Sequence, residues 1–297
     1  MEFVDIRHVQ RTENMYYVYM PTSWCKRYGI TEEATVSVIV NDDSSLTISP
    51  GMQERKRKEI KSTLNEDNQD IIIKLIIACY INPVTSFNIK FENKVDFGKL
   101  LGQKKVVSAL EFVELDGTTL TYESSISVND PTTLLRTMAK KLYNLINVMT
   151  TNYNSELIEK YEEEIDRSKL LIDKAVTEAL TFHELVKQKT IDLHYTALIS
   201  HEIERLADSV ILLEKEDAAF LKQTLESMDM IKNALDDPKL LNYKQVIEIT
   251  RKVLQVKKTP IQDIKSYLKR RIRVHLENIC DTLLDWSILN EVKEEGK

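Results

Sequence analysis

From Pro131 onward, apolar residues recur at steps of three and four. Ile158, Tyr161, Ile165, Ile172 and Val176 form one row; Ile199, Ile203, Leu206, Val210 and Leu213 a second; Ile272, Leu276, Ile279, Leu283 and Trp286 a third. That period puts each row on one face of an α-helix, where it can only be satisfied by packing on another helix. Asp130 is suited to cap the first helix, with Pro131 tolerated in its opening turn. Breaks near Asn152–Asn154, Asp236–Pro238 and Thr259–Pro260 divide the region into about six helices, in two sets of three. Six Gly and six Pro in 297 residues are about a third of the usual share, which excludes collagen-like and turn-rich all-β folds.

The helical half repeats itself at a spacing of 73 residues. Ile203-Glu204-Arg205-Leu206-Ala207-Asp208 lies over Leu276-Glu277-Asn278-Ile279-Cys280-Asp281, and the apolar positions on either side agree. In both stretches the Glu directly follows a seam residue, and the Asp stands one turn later. The two carboxylates therefore share a face beside the packed stripe. Glu162 and Glu163 with Asp166 form a third acidic group in a different register, on an earlier helix. The second set has no counterpart: Asn242 to Val256 offers only Glu248. With 47 acids in the chain, chance gives about seven acidic pairs at a spacing of four, so the repeated context carries the information. Two readings of these acids stand: solvated faces of a bundle, or an oxygen-ligand metal site between helices, suited to Mg²⁺, Mn²⁺ or iron rather than to zinc or copper. On the second reading, the first helical set binds more tightly than the second.

The first fifty residues read as short strands around one short helix. Val4 to Val9 and Tyr16 to Met20 are strand-like, with a turn at Thr12-Glu13-Asn14. Pro21 opens a helix that Gly29 closes. Thr35 to Val40 and Leu46 to Ile48 are strands, joined by a turn at Asn41–Ser44. Four short strands make a poor core alone, which predicts pairing with a partner. Met52 to Asn68 reads as a charged linker or exposed helix, with a basic nucleic-acid-binding run as the alternative. Ile71 to Ile81 reads as helix. Ser86 to Phe91, Val107 to Glu114 and Thr119 to Val128 read as strands, with a hairpin turn at Asp116-Gly117.

The net charge is −6, so any nucleic-acid contact is a local patch. Arg7, Arg11, Lys26 and Arg27 cluster around the first hairpin and helix. Cys25, Cys79 and Cys280 are isolated and odd in number, which fits a reducing cytoplasm. The opening Met1-Glu2-Phe3-Val4-Asp5 has no signal-peptide character, and the apolar run Ile71–Ile81 is too short to span a membrane. Neither a Gly-rich phosphate loop nor a Gly-x-Ser-x-Gly elbow occurs, and His183-Glu184 lacks the second His of a zinc-protease motif. His194 and His201 share a helix face. The expectation is a non-enzymatic protein without membrane insertion.

Residues 1–50 resemble the SpoVT/AbrB-type swapped-hairpin domain. The matching residues are Ile6-Arg7-His8-Val9-Gln10, Tyr17-Val18-Tyr19-Met20-Pro21-Thr22-Ser23-Trp24 with Lys26, Tyr28-Gly29-Ile30, and Leu46-Thr47-Ile48-Ser49-Pro50. Thr22 stands where the archaeal pattern has Lys. The resemblance implies an interleaved homodimer that binds DNA through Arg7, Arg11, Lys26 and Arg27. Residues 131–291 resemble the PhoU phosphate-signalling domain, through Glu163-Glu164-Ile165-Asp166-Arg167, Glu202-Ile203-Glu204-Arg205-Leu206-Ala207-Asp208 and Glu277-Asn278-Ile279-Cys280-Asp281. This implies two three-helix bundles with surface metal clusters on Glu162, Glu163, Asp166, Glu204, Asp208, Glu277 and Asp281. It also implies a regulatory role in phosphate uptake through a transporter or sensor. The order of segments is similar to archaeal phosphate uptake regulators: a hairpin domain at 1–50, a linker and small mixed α+β segment at 51–130, and the helical domain. The expected fold is mostly α with a small β domain. The resemblance implies a transcriptional or phosphate-signalling regulator that binds DNA as a dimer; the alternative is an adaptor whose hairpin domain only dimerises.

Overall fold

The computed structural model describes residues 6–40, 45–51, 58–82, 84–95, 112–115, 118–123, 130–181, 190–256, 258 and 260–294. The chain is mostly helical with small β-sheets, and it divides into two compact units, Met1–Lys56 and Arg57–Lys297.

The first unit holds two antiparallel hairpins, β1 (Gln10–Thr12) with β2 (Met15–Tyr17) and β3 (Val36–Val40) with β4 (Leu46–Pro50), around helix α1 (Thr22–Arg27). Thr12 pairs with Met15, leaving a two-residue turn. Glu13 takes a φ of 53° there, a region few non-Gly residues adopt, and Arg11 Nε donates to its carbonyl at 2.8 Å. After α1, Gly29 has a φ of 64°, and the Ile30 amide reaches back to the Cys25 carbonyl at 2.9 Å. That closes the helix with the left-handed glycine cap its sequence predicts. The first hairpin lies closer to its turn than its residues suggest. Residues 6–9 and 18–20 lie outside regular strands; 6–9, 18 and 19 are exposed, with no packed layer to extend a three-pair ladder. The turn expected at Asn41–Ser44 lies outside the described residues.

The second unit opens with a mixed sheet in the order β5-β6-β8-β7: β5 (Lys58–Leu64), β6 (Val84–Phe91), β7 (Phe112–Leu115) and β8 (Thr119–Glu123). β5 runs parallel to β6, and helix α2 (Gln69–Ile81) makes the crossover between them. The reading of Met52–Asn68 as linker or exposed helix is therefore overturned over residues 58–64. Ile60, Ser62 and Leu64 alternate inward, with Ile60 and Leu64 packed on the core. Glu59 and Lys61 share the outer face, 2.9 Å apart. The charges that suggest a solvated segment decorate one side of an edge strand. Of the strands expected at Val107–Glu114 and Thr119–Val128, the described parts are β7 and β8, paired antiparallel. Residues 107–111 and 124–128, and the turn at Asp116-Gly117, lie outside the described residues.

Asn68 caps α2 by accepting from the Asp70 amide at 3.0 Å. The helix buries Ile72, Ile73, Ile76, Cys79 and Tyr80, and with Phe87, Ile89, Leu120 and Tyr122 of the sheet these form a cluster that Leu170 of the bundle joins. Lys174 is buried at the same place, its ammonium 4.5 Å from the Tyr80 ring centroid. Burial pushes its pKa below the ordinary lysine range.

Six helices follow: α3 (Pro131–Thr151), α4 (Ser155–Thr181), α5 (Thr190–Val210), α6 (Ala218–Ala234), α7 (Tyr243–Gln255) and α8 (Ile264–Glu294). Asp130 caps α3, accepting from the Thr132 and Thr133 amides at 3.1 and 3.2 Å. α3, α4 and α5 pack against one another, as do α6, α7 and α8. Contacts of α3 with α6 and α5 with α8 join the sets, and all six share one core. The breaks near 152–154, 236–238 and 259–260 fall where the sequence places them, whereas the end of α4 at Thr181 and the end of α5 at Val210 carry no break that the sequence reading named. Among the described residues, no helix is long and apolar enough to cross a membrane.

Candidate metal centre

α4 and α5 lie side by side because each buries its seam, Ile158, Ile165 and Ile172 on one, Ile199, Ile203 and Leu206 on the other. Asp166 follows Ile165, and Glu204 follows Ile203. A residue next to a seam position lies at the flank of the interface, so acids on the two helices face each other across it. Asp208 stands one turn beyond Glu204. One carboxylate oxygen from each of Asp166, Glu204 and Asp208 lies within 4.8 Å of the others.

Like charges so close oppose ionisation. Burial and the neighbouring Asp208 push the Glu204 carboxyl above its ordinary value, although Lys169, His201 and Arg205 pull the other way. A hard cation takes oxygen ligands at about 2.0–2.6 Å, which sets neighbouring ligand oxygens about 3–4 Å apart. Oxygens that lie within 4.8 Å of one another are close enough for one such cation to be shared among them.

Beside it lies a cluster that sequence reading missed. Asp173 accepts from Lys169 Nζ at 2.8 Å and sits 3.1 Å from His201 Nε2. Burial alone would raise the Asp173 carboxyl, but hydrogen bonds from His201 and Lys169 hold it below its ordinary value. His194 is exposed against Tyr195, and His183 lies outside the described residues.

The other sequence candidates are not gathered. Glu162 is buried and Glu163 half-buried, and neither joins the trio. Glu164, beside them, bonds Lys141 of α3 at 2.8 Å. In the second set, Glu277 accepts from Arg273 Nε at 2.7 Å, while Asp281 is exposed on α8. Among the described residues, neither belongs to a group of three ligand-type side chains. Aligning buried Ile249 of α7 with buried Ile165 of α4 puts Thr250 where Asp166 stands, so the second set lacks the third carboxylate.

The 73-residue repeat also contains a contact that only the fold displays. Glu202 and His275 occupy equivalent positions, and they meet: His275 Nδ1 lies 2.8 Å from Glu202 Oε2. A carboxylate only accepts, so Nδ1 carries the proton. Asn278 donates to the same oxygen at 3.1 Å, and Arg205 to the other at 3.1 Å. Burial would raise the Glu202 carboxyl, but these donors outweigh it and hold the group low.

In the first unit, Arg7, Arg11, Lys26 and Arg27 all face solvent. Arg11 lies over the Tyr16 ring at 5.4 Å and Arg27 over Tyr28 at 5.7 Å. None of the described residues from 6 to 51 is buried; Ile6, Met15 and Tyr16 are among the most exposed large side chains of the chain, together with Val40 and Leu46.

No protein-family model, curated protein or solved structure matches the chain.

Proposed function

We propose that this protein is a regulator that binds DNA as a homodimer through its N-terminal hairpin unit and reports phosphate status through a metal-binding helical bundle of the PhoU kind. The observation that carries the reading is the coreless first unit. Two hairpins and a helix that bury no side chain among the described residues 6–51 expose strand faces rich in Val, Ile, Met and Tyr. Apolar burial stabilises by about 25 cal/mol per Å², so such a unit gains its core from a second copy. The same unit presents Arg7, Arg11, Lys26 and Arg27 to solvent, where they can neutralise phosphates. In the bundle, Asp166, Glu204 and Asp208 supply the oxygen ligands for Mg²⁺, Mn²⁺ or iron, which would turn their repulsion into coordination.

A second reading has one observation in its favour. Residues 1–53 carry four basic residues against seven acids, and a DNA reader is normally more basic. On that reading the hairpin unit only dimerises, and the protein is an adaptor that docks on a phosphate transporter or sensor. Incubating the purified full-length protein with fragmented genomic DNA from its source, washing at stepped salt and sequencing what is retained separates the two. The regulator enriches discrete pseudo-palindromic sites; the adaptor enriches none.

A further inference from the structure

Helix α8 has a second seam, on the side that faces away from the bundle. Its buried residues include Leu268, Ile272, Leu276, Ile279, Leu283 and Trp286. The outward positions run from Ile264 to Val292 in unbroken alternation of three and four: 264, 267, 271, 274, 278, 281, 285, 288, 292. All nine are exposed. That spacing is the heptad pattern of a helix that packs along its whole length on another helix. Five of the nine side chains are large and apolar: Ile264, Tyr267, Val274, Ile288 and Val292, exposed by 76%, 45%, 40%, 47% and 65%. A solvated face does not look like this; the exposed residues in the first half of α4 include Glu159, Lys160 and Glu164.

We propose that this face of α8 pairs antiparallel with the same face of a second copy of the chain. The charges along the stripe choose the occupant. Arg271 lies in the N-terminal half, Asp281 and Asp285 in the C-terminal half, and none of the three has an ion-pair partner among the described residues; the Arg271 guanidinium lies over the Tyr267 ring, 5.9 Å from its centroid. Two acids four residues apart repel within the helix, so their placement gains nothing from α8 itself. An antiparallel copy reverses the order. With the two-fold axis level with residue 277, a rise of about 1.5 Å per residue puts Arg271 about 9 Å from the axis. The partner's Asp281 and Asp285 then lie about 6 and 12 Å along on the same side, one on each flank of the guanidinium. The same register sets Ile264 between the partner's Ile288 and Val292, and Val274 between the partner's Asn278 and Asp281. Each contact occurs twice, as an isologous interface requires.

A stripe about 42 Å long and one helix wide buries on the order of 400 Å² per copy, half of a standard interface. The pairing is therefore weak between free chains. It strengthens wherever another contact holds two copies together, because the second contact is then intramolecular. It needs no part of residues 6–51, and it assigns the second acidic motif a role other than metal binding.

The test uses full-length protein in a Cys25→Ser background, which leaves two buried cysteines, Cys79 and Cys280. Chains carrying Ile264→Cys and chains carrying Ile288→Cys are treated with a short bis-maleimide, separately and mixed. The expected result is a covalent dimer in the mixture and at most a tenth as much in either sample alone. Arg271→Glu in both chains should cut the yield about tenfold, and adding Asp281→Arg with Asp285→Arg should restore it, with circular dichroism showing each variant folded. Dimerisation through the N-terminal unit alone would give the mixture no advantage over the separate samples. Equal yields, no product in the mixture, or indifference to charge reversal overturns the proposal.

Discussion

Replacing Glu202 by Ala removes a polar link between the two repeated helices, and its cost follows from its partners. The His275 side chain is only 10% exposed, so its Nδ1–H would be stranded at about 1–3 kcal/mol. Its Nε2 is already buried without a hydrogen-bond partner, so the ring gains nothing by changing tautomer. Asn278 is exposed and turns to water at little cost. Arg205 is 53% exposed, and its pair with Glu202 contributes roughly 0–1 kcal/mol. The sum is about 1–4 kcal/mol, and at about 2–4 °C per kcal/mol for a unit of this size the melting temperature falls by about 2–16 °C at pH 7. The pH dependence has a definite sign. The folded Glu202 carboxyl titrates below its ordinary value, so its contribution is complete above the unfolded value and is lost as pH falls through the folded one. The gap between wild type and variant should thus be widest near neutrality and close in acid. Thermal melts followed by helical circular dichroism from pH 7 to pH 3 measure it. A gap under 1 °C at pH 7, or one that widens in acid, refutes the argument.

Trp286→Ala removes a buried indole that donates to Asp192 at 3.0 Å and packs on Tyr195; the expected loss is about 3–5 kcal/mol in urea unfolding, with Trp286→Phe costing less than half as much. Burial pushes the Cys280 thiol up to about 12 and raises Cys79 as well. A thiol reagent at pH 8 should therefore modify only the half-buried Cys25 quickly, and the other two on unfolding. Saturating Mn²⁺ or Mg²⁺ at a hundred times its dissociation constant should stabilise the bundle by about 2.7 kcal/mol, or roughly 5–11 °C. Asp166→Ala with Asp208→Ala should abolish that rise, while Asp281→Ala keeps it; an equal rise in the double variant would leave these acids as a solvated face.

The helical seams are legible in the chain because one apolar period governs each, and three of the breaks are marked by Asn, Asp or Pro; the ends at Thr181 and Val210 have no such marker and are not legible. The Asp130 and Gly29 caps are legible for a similar reason: both act within a few residues of themselves. β5 is not. Its alternation rests on Ile60 and Leu64 alone, set among lysines and glutamates, and only the parallel partner β6, 20 or more residues away, selects a strand. The acidic group is half legible. The repeat points to Glu204 and Asp208, but which residue of Glu162, Glu163 and Asp166 joins them depends on how α4 is rotated, and the seam at Ile165 decides for Asp166. Glu202 with His275 shows the opposite case. The spacing of 73 is plain in the sequence, yet nothing local says that equivalent positions touch.

The account stands or falls on the DNA contact of the hairpin unit. The most direct measurement is the affinity of full-length protein for a retained genomic site across a salt series, for wild type and for Arg7→Ala with Arg11→Ala. Each phosphate contact contributes about 0.9 to the slope of log K against log salt, so a dimer that loses four such side chains should show a slope shallower by about 3.6, with weaker binding at low salt. Binding and slope that are the same in both proteins, or no binding at any salt, would contradict the regulator and leave the adaptor.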